Sequence, residues 1–235
     1  MTLEEILRDG FAELALPLDA EALGRYRRYY ELLTEKNRVM NLTAIEGEED
    51  SARLHFLDCA ALLTLCEFGG GRVIDVGSGA GFPGLALKIA CPSLSLTLLD
   101  SLDKRVRFLQ AVSAELGFED VQCLHARAEE APGELRESFD LAASRAVARL
   151  NLLCELCLPF VKVGGLFLAM KGPGAAGEAE EAKGAITALG GRVRAITEYP
   201  IPGTATRHSL VLIEKTRPTP RQYPRRWAQI KKAPL

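Results

Sequence analysis

Residues 72–84 have the sequence Arg-Val-Ile-Asp-Val-Gly-Ser-Gly-Ala-Gly-Phe-Pro-Gly. The β-branched run around Asp75 predicts a buried strand of a parallel sheet. The closely spaced glycines after it allow positive φ and a close approach of the backbone to a ligand, and Pro83 suits the first turn of a helix. A strand, a tight turn and a helix in this order mark the place where open α/β sheets hold nucleotide-like ligands.

The chain downstream alternates between strand and helix patterns. Apolar runs predict strands at residues 73–76, 94–99, 121–125, 139–144 and 166–170, and helices at 81–90, 103–116, 150–161 and 176–189. Two last runs, 192–199 and 209–214, are joined by a short segment without a helix, which allows only an antiparallel hairpin. The predicted fold class is α/β, a mostly parallel sheet with helices on both faces and an antiparallel final hairpin.

The same patterns predict three parts. Residues 1–70 carry apolar positions at helical spacing and predict an N-terminal α-helical cap, whose third helix includes His55 and Asp58. Residues 71–216 form the α/β core, and residues 217–235 form a basic C-terminal tail.

The composition is that of an ordinary globular protein. Of 235 residues, 48% are hydrophobic and 26% are charged, and the formal net charge is -2. The N-terminus lacks the basic residues and long apolar run of a signal peptide, and the most apolar region is interrupted by Glu155, Pro159 and Lys162. We therefore expect a soluble cytoplasmic protein without a membrane partner, with a monomer as the default.

The six cysteines are dispersed through apolar segments. Cys154 and Cys157 have C-x-x-C spacing, but they lie inside a helical pattern and no second Cys or His pair accompanies them. Packing of small buried side chains in a reducing compartment explains the cysteines better than redox or zinc chemistry, so no metal site is expected.

The glycine turn fits two kinds of cofactor. Gly79, Gly81 and Gly84 match the dinucleotide fingerprint, which is weak evidence alone. Counted from Gly77 at the strand end, the pattern is instead Asp-x-Gly-x-Gly-x-Gly, beginning at Asp75. Asp100 ends the second strand, where its two oxygens can accept from both hydroxyls of a ribose. That role is shared by NAD and S-adenosylmethionine, so both stay open at this point.

A family resemblance rests on motifs spread over nearly the whole chain. The glycine turn is preceded by Asn-Leu-Thr-Ala-Ile at 41–45 and His-Phe-Leu-Asp at 55–58, and followed by Leu-Asp-Ser at 99–101 with Lys104 and Arg105. Further matches lie at 128–129, 144–146, 170–172, 207–208 and 219–225. In this order the motifs resemble the bacterial small-subunit rRNA methyltransferase G family, also called glucose-inhibited division protein B. Two departures are Cys59, where a serine is usual, and the final residues 227–235.

The resemblance implies a fold, a reaction and a set of site residues. The fold would be the Rossmann-like sheet of class I enzymes that use S-adenosyl-L-methionine. The reaction would be methylation of guanine N7 in the decoding-centre loop of 16S rRNA, either free or in the small ribosomal subunit. The cofactor contacts implied by the resemblance, with the rest of the glycine turn added, are Asp75, Gly77, Gly79, Gly81, Phe82, Asp100, Ala128, Glu129 and Arg145.

The residue types agree with N7 chemistry. Guanine N7 has an in-plane lone pair and no proton, so it can attack a sulfonium methyl without a general base, and the enzyme must chiefly align the reacting atoms. The chain lacks the Pro-Cys pair expected for methylation of cytosine C5 and the Asn/Asp-Pro-Pro-aromatic loop usual for adenine N6.

Arg145 and Lys171 are the candidates for positioning the reactants, because each ends a predicted strand of the core. Arg145 could bind the cofactor carboxylate, the guanine or its phosphate; the alternative is an ion pair with Asp140 or Glu129. Lys171, at the end of the next strand, has the same two interpretations: contact with the reactants or a structural ion pair.

The candidate substrate contacts lie in the cap and near the C-terminus. The motifs alone indicate His55 and Asp58, which are three residues apart on a helix, and the pair Arg207 and His208. Without the motifs, His208 would be interpreted as a structural residue. The tail has six basic residues and no acid, interleaved with prolines and aromatics. This pattern is typical of a flexible arm that binds phosphates and unstacked bases, and it adds the candidates Arg221, Arg225 and Arg226. The alternative is a disordered, solubilising terminus.

Two other functions remain open. The same cofactor site would serve a methyltransferase acting on a small molecule or a protein. An NAD-dependent oxidoreductase is disfavoured by the antiparallel final hairpin and by the lack of a Tyr-x-x-x-Lys proton donor.

Overall fold

A seven-stranded sheet forms the centre of the computed structural model, which describes residues 1–131 and 133–235. Its strands lie in the order β3-β2-β1-β4-β5-β7-β6. Strands β1 to β5 are parallel, and β7 is antiparallel to both β5 and β6. Their bounds are Arg72–Val76, Ser95–Asp100, Gln122–His125, Phe139–Arg145, Val161–Lys171, Gly191–Pro200 and Arg207–Lys215. The predicted α/β class and antiparallel final hairpin are confirmed.

Helices precede the sheet and cover both of its faces. In chain order, α1 to α11 are Leu3–Glu13, Ala20–Met40, Glu48–Ser51, Asp58–Ala60, Leu62–Leu65, Gly84–Ala90, Asp103–Glu115, Leu150–Cys157, Ala175–Glu181, Lys183–Ala188 and Trp227–Lys232. Shorter 3₁₀ turns occupy Ala128–Glu130, Gly133–Leu135 and Leu158–Phe160. Within the described residues, no helix combines the length and the apolar character needed to cross a membrane.

Three predicted helices differ from the observed ones. The helix after the glycine turn begins at Gly84 rather than Gly81, because Gly81 has a φ of 101° and interrupts the helical path. The third cap helix contains a π-helical turn, Ala52–Leu57, which carries His55. The predicted helix at 176–189 is two helices that meet at Ala182.

Two hydrophobic clusters lie on the two faces of the sheet. Along β1, Val73 belongs to one cluster and Ile74 to the other, because successive side chains of a strand point to opposite faces. The cap packs into the first cluster through α1 and α2, where Tyr26 and Tyr29 are completely buried. Their hydroxyls donate to the carbonyls of Ala86 (2.8 Å) and Ala80 (2.5 Å), so α2 is anchored to the segment around the glycine turn.

The C-terminal tail is packed against the core and is not the flexible arm that its composition suggested. The guanidinium of Arg136 donates to the carbonyls of Thr219 and Tyr223, both at 2.7 Å. Arg225 forms an ion pair with Glu155, whose carboxylate is completely buried. Ile230 of α11 is also completely buried, in the second cluster. The division into three parts at residues 70 and 216 stays a prediction.

Candidate active site

The main cavity, of about 840 Å³, lies where several strands end. The carboxyl ends of β1, β2, β4 and β5 contribute to it, together with the start of the antiparallel strand β7 and part of the cap. Parallel strands bring their carboxyl ends to one edge of a sheet, which is why residues far apart in sequence meet here. Eight predicted site residues line this cavity: His55, Gly77, Gly79, Phe82, Asp100, Arg145, Lys171 and His208.

The glycine turn needs its glycines for two different reasons. Gly77 has a φ of 75°, and a Cβ there would collide with the side chain of Val147. Gly81 lies behind the turn, where a Cβ would collide with the Tyr29 hydroxyl. Gly77 therefore lets Val147 pack against the turn at the cavity wall, whereas Gly81 lets α2 pack closely.

Asp75 supports the turn from behind and does not line the cavity. Its carboxylate is completely buried and accepts a hydrogen bond from the Gly84 N–H at 2.8 Å, while its Oδ1 atom has no partner. Burial raises the pKa of Asp75 to about 7, against the opposing effect of the Gly84 hydrogen bond. Asp75 and Gly81 are thus placed to support the turn, and their assignment as cofactor contacts stays a prediction.

Asp100 occupies the place predicted for a ribose-binding carboxylate. It ends β2, with Oδ2 accepting from the Gly79 N–H and Oδ1 from the Leu102 N–H, both at 2.9 Å. These bonds hold both oxygens in fixed positions at the cavity wall, and each oxygen keeps a lone pair for a further donor.

Arg145 is held by the cap and not by either acid that the sequence suggested. Its guanidinium donates to the Leu54 carbonyl (3.0 Å), to Asp58 Oδ2 (3.2 Å) and to His55 Nδ1 (2.7 Å). Asp140 pairs with Lys162 instead. The end of β4 is thus tied to the π-helical turn, and a fixed positive charge faces the cavity.

Asp58 connects this pair to the final hairpin. Its Oδ1 accepts from the Tyr199 hydroxyl of β6 and lies beside Nδ1 of His208 on β7, both at 2.9 Å. The hydrogen bond to Asp58 raises the pKa of His208 above its ordinary value. Asp58 is completely buried and is placed to orient these partners, and its contact with substrate stays a prediction. Sequence reasoning missed Tyr199, which no motif marked.

His55 forms a rigid neutral wall of the cavity. Its ring stacks on Phe82 with centroids 4.2 Å apart and planes 7° apart. A guanidinium can only donate, so Nδ1 accepts from Arg145, and Nε2 carries the proton toward Thr43 Oγ1 at 2.9 Å. Burial and then the charge of Arg145 lower the pKa of His55 to about 3. Thr43 was also missed, although its motif at 41–45 had been noted.

Lys171 supports the loop after β4. Its ammonium group donates to the Ala148 carbonyl at 2.7 Å and pairs with Glu178 at 2.9 Å. This places Lys171 beneath the loop that carries Val147 against Gly77, and its role in positioning the reactants stays a prediction.

A smaller cavity of about 170 Å³ adjoins the main one, and Gly77, Ser101 and Val147 line both. Ala128 and Glu129, two predicted cofactor contacts, lie here. Trp227 of the tail also lines it, a residue that the sequence did not mark as part of a site.

The basic substrate candidates lie outside the main cavity. Arg207 is exposed and pairs with Glu198. Arg221 and Arg226 are exposed. Arg225 pairs with Glu155 and so anchors the tail, and its contact with substrate stays a prediction. Of the described residues that line the main cavity, none belongs to the tail.

Comparison with known proteins identifies the family. The family described as rRNA small subunit methyltransferase G (GidB) matches residues 23–208. The chain belongs to this family. A relative named ribosomal RNA small subunit methyltransferase G from Alkaliphilus metalliredigens is 49% identical and covers 98% of each chain. One of the same name from Clostridium perfringens is 42% identical, again over 98% of each chain.

Solved structures of methyltransferases share the fold. A SAM-dependent methyltransferase from Aquifex aeolicus superposes with a TM-score of 0.51 and 21% identity, over 70% of this chain and 93% of that one. A 16S rRNA (adenine(1408)-N(1))-methyltransferase from Catenulisporales acidiphilia superposes with a TM-score of 0.52 and 15% identity. The match covers 69% of this chain and 92% of that one. Membership of the family confirms the predicted resemblance, the enzyme class of methyltransferase and the cofactor S-adenosyl-L-methionine.

Proposed function

We propose that this enzyme transfers a methyl group from S-adenosyl-L-methionine to N7 of a guanine in 16S rRNA, either free or in the small ribosomal subunit. The names of its relatives and the motifs at 55–58 and 99–101 support the substrate class. The cytoplasm, where ribosomes are assembled, and a monomeric state belong to the same proposal.

The two cavities fit the cofactor. Asp100 would accept from the ribose hydroxyls, and Gly77 leaves room for the ligand beside the turn. Glu129 Oε1 is buried without a hydrogen-bond partner, so it would accept from the amino group of the adenine. When bound, the cofactor supplies an electrophilic methyl group on a sulfonium sulfur.

The choice of N7 rests on one observation: the side chains of the main cavity that could act as a general base are not placed to remove a proton. Both ring nitrogens of His55 are engaged, and its lowered pKa reflects burial beside Arg145. Asp58 keeps His208 in its charged form to higher pH. Arg145 cannot be deprotonated. A nucleophile without a proton, such as guanine N7, suits a site whose groups hold positions and do not remove protons.

Alignment of the base would come from the wall that His55 and Arg145 form with Phe82 of the turn. His55, Phe82 and Arg145 stack, with the guanidinium carbon 5.0 Å from the Phe82 centroid. Three independent hydrogen-bonded contacts hold Arg145, so its remaining face presents a positive charge in a fixed direction. Acceptors of a guanine edge or a phosphate oxygen would be held there.

A second feature supports a substrate larger than a small molecule. A cavity of about 700 Å³ adjoins the main one and shares residues 42–45 with it. Its lining includes Asn37, Arg38 and Asn41 of the cap, which offer hydrogen-bond donors and a positive charge. Nucleotides flanking the target would find space there, and exposed Arg221 and Arg226 add charge for phosphates elsewhere.

Transfer of labelled methyl tests this function. Whole small subunits, naked 16S rRNA and total protein would be incubated in parallel, and labelled nucleosides identified after digestion. We expect label in 7-methylguanosine from one of the RNA substrates, and loss of it in the Asp100→Ala variant. Label confined to protein, or in a different nucleoside, would overturn the proposal.

A further inference from the structure

The smaller cavity is lined by Val147, by Leu156 of α8 and by three further parts of the chain. The ends of β1 and β2 contribute one side and the segment around Ala128 and Glu129 a second. The third contribution is Trp227, at the start of α11 in the C-terminal tail. Residues 23–208 match the family, so Trp227 lies outside the matched region, in the segment that departs from the family pattern.

Trp227 is held in this place from both sides. Two residues before it, the backbone N–H and Nε of Arg225 both donate to Glu155 Oε1 at 2.8 Å, and Nη2 donates to Oε2 at 2.6 Å. Three residues after it, Ile230 is completely buried. Because Glu155 is buried in α8, this bidentate pair ties the tail to the core and orients the indole.

Glu129, another lining residue of this cavity, carries an acceptor without a donor. The side chain of Glu129 is 5% exposed, its Oε1 has no hydrogen-bond partner, and the nearest cation there, Arg127, is 3.8 Å away. A buried acceptor without a hydrogen-bond donor is unfavourable. A ligand that brings an N–H donor would satisfy that acceptor.

Most of the remaining wall is apolar, with Ser101 and Arg127 as its polar members, and the space is small. Val76, Leu99, Ala126 and Leu156 line it, and its volume of about 170 Å³ is close to the ~150 Å³ known to hold one benzene ring. A planar ring with an exocyclic amino group matches these features, with the amino group toward Glu129 and the face against the indole.

We propose that Trp227 forms a wall of the adenine pocket, so that the C-terminal tail of this chain is a working part of its cofactor site. The inference rests on the proposed placement of the cofactor. Any partner or change that displaces the tail would then weaken cofactor binding as well as remove its arginines from the RNA-facing surface.

The chain offers a direct probe, because Trp227 is its only tryptophan. S-adenosylhomocysteine would be titrated into the full-length protein while indole emission and heat are recorded. We expect the emission to change and to saturate with the same dissociation constant as the calorimetric signal. Binding heat without a change in emission would overturn the inference.

A truncated ligand assigns the effect to the adenine end. In the Trp227→Leu variant we expect affinity for both S-adenosylhomocysteine and methylthioadenosine to fall roughly tenfold, because stacking on a base is worth about 1–3 kcal/mol. Methylthioadenosine keeps the adenosine and lacks the amino acid end, so unchanged affinity for it would overturn the inference. Trp227→Phe should recover most of the affinity.

Two matched variants separate a local role from general damage. Gln229→Ala alters an exposed position of the same helix and should bind as the wild type does. Arg225→Gln should weaken binding with Trp227 intact, because the anchor to Glu155 is reduced. If Asp100→Ala abolishes binding and Trp227→Leu leaves it unchanged, only this inference fails. If wild-type protein does not bind S-adenosylhomocysteine, the proposed cofactor placement fails instead.

Discussion

A single buried carboxylate joins three parts of the chain that are far apart in sequence. Asp58 accepts from Arg145 of β4 and Tyr199 of β6 and lies beside His208 of β7. A buried charge is tolerated only when it is paired and hydrogen-bonded. The motif around Asp58 is therefore explained by the geometry of Arg145, which Asp58 orients.

Replacement of Asp58 tests this arrangement. In Asp58→Asn the buried guanidinium of Arg145 loses its charged partner, so we expect the free energy of unfolding to fall by about 3–5 kcal/mol. Urea denaturation measures it. Glu198→Gln removes an exposed pair with Arg207 and should change stability by less than about 1 kcal/mol. Equal losses in the two variants would argue against a special role of Asp58.

Asp100 gives a prediction about binding rather than stability. Asp100→Asn keeps the shape of the side chain but replaces one acceptor oxygen with an amino group. We expect affinity for S-adenosylhomocysteine to fall roughly 10- to 100-fold, the worth of one or two hydrogen bonds to a charged group. Calorimetry would measure the affinity and thermal unfolding would check the fold. An unchanged affinity would refute the ribose-binding role.

His55 predicts a dependence of stability on pH. Its folded pKa of about 3 lies below the ordinary value of 6.5, so the folded state resists protonation. The contribution is fully present above about pH 6.5 and is lost as the pH falls toward 3. His55→Gln should therefore lose less stability than the wild type between pH 7 and pH 5.

Wild type and variant must be compared, because two neighbouring groups change stability with pH in the direction opposite to His55. The raised pKa of His208 gives a contribution that is present below its ordinary pKa and is lost as pH rises through the folded value. Asp75, with a pKa of about 7, also favours the folded state toward lower pH. Parallel pH profiles of wild type and His55→Gln would contradict the assignment to His55.

At the scale of elements, the glycine turn shows how far a sequence pattern reaches. Its place between β1 and a helix followed from the glycines and Pro83. The start of α6 at Gly84 did not, because it depends on Asp75 capturing the Gly84 N–H and on α2 packing against Gly81. Likewise, the π-helical turn at Ala52–Leu57 is set by its packing and hydrogen bonds to β4, which no helical periodicity expresses.

The turn can be tested with a pair of glycine substitutions. Gly77→Ala places a Cβ at a φ of 75° and against Val147, so we expect a loss of about 1–3 kcal/mol of stability and of cofactor affinity. Gly177→Ala lies within α9 with open space around it, and should stabilise by about 0.5–1 kcal/mol. If Gly77→Ala bound cofactor normally, the turn would not be the close approach we describe.

On the scale of the whole molecule, the tail combines two tasks. Arg225 and Ile230 pack it against the core, while Arg221 and Arg226 remain exposed. Composition alone predicted a flexible arm. The basic residues can be counted in the sequence, but the pairing of Arg225 with the buried Glu155 is seen only in the structure.

The exposed pair predicts a salt-dependent effect on RNA binding. In the double variant Arg221→Ala with Arg226→Ala, we expect weaker binding of 16S rRNA, with the slope of log affinity against log salt reduced by roughly one for each lost phosphate contact. Filter binding at several salt concentrations would measure it. The control is Arg192→Ala, because Arg192 is an exposed residue of β6 that pairs with Glu214 of β7. An unchanged slope would remove these arginines from the RNA surface.

The sequence by itself determined the local elements, the fold class and the family, because hydrophobic periodicity, glycine spacing and contiguous motifs are all properties of neighbouring residues. Only the tertiary structure decided which side chains share a site. Arg145 meets Asp58 and not Asp140, Asp75 turns away from the cavity, and Trp227 reaches the pocket of Glu129. Arg145 and Asp58 are 87 positions apart, and Trp227 and Glu129 are 98 apart, so no local pattern specifies these contacts.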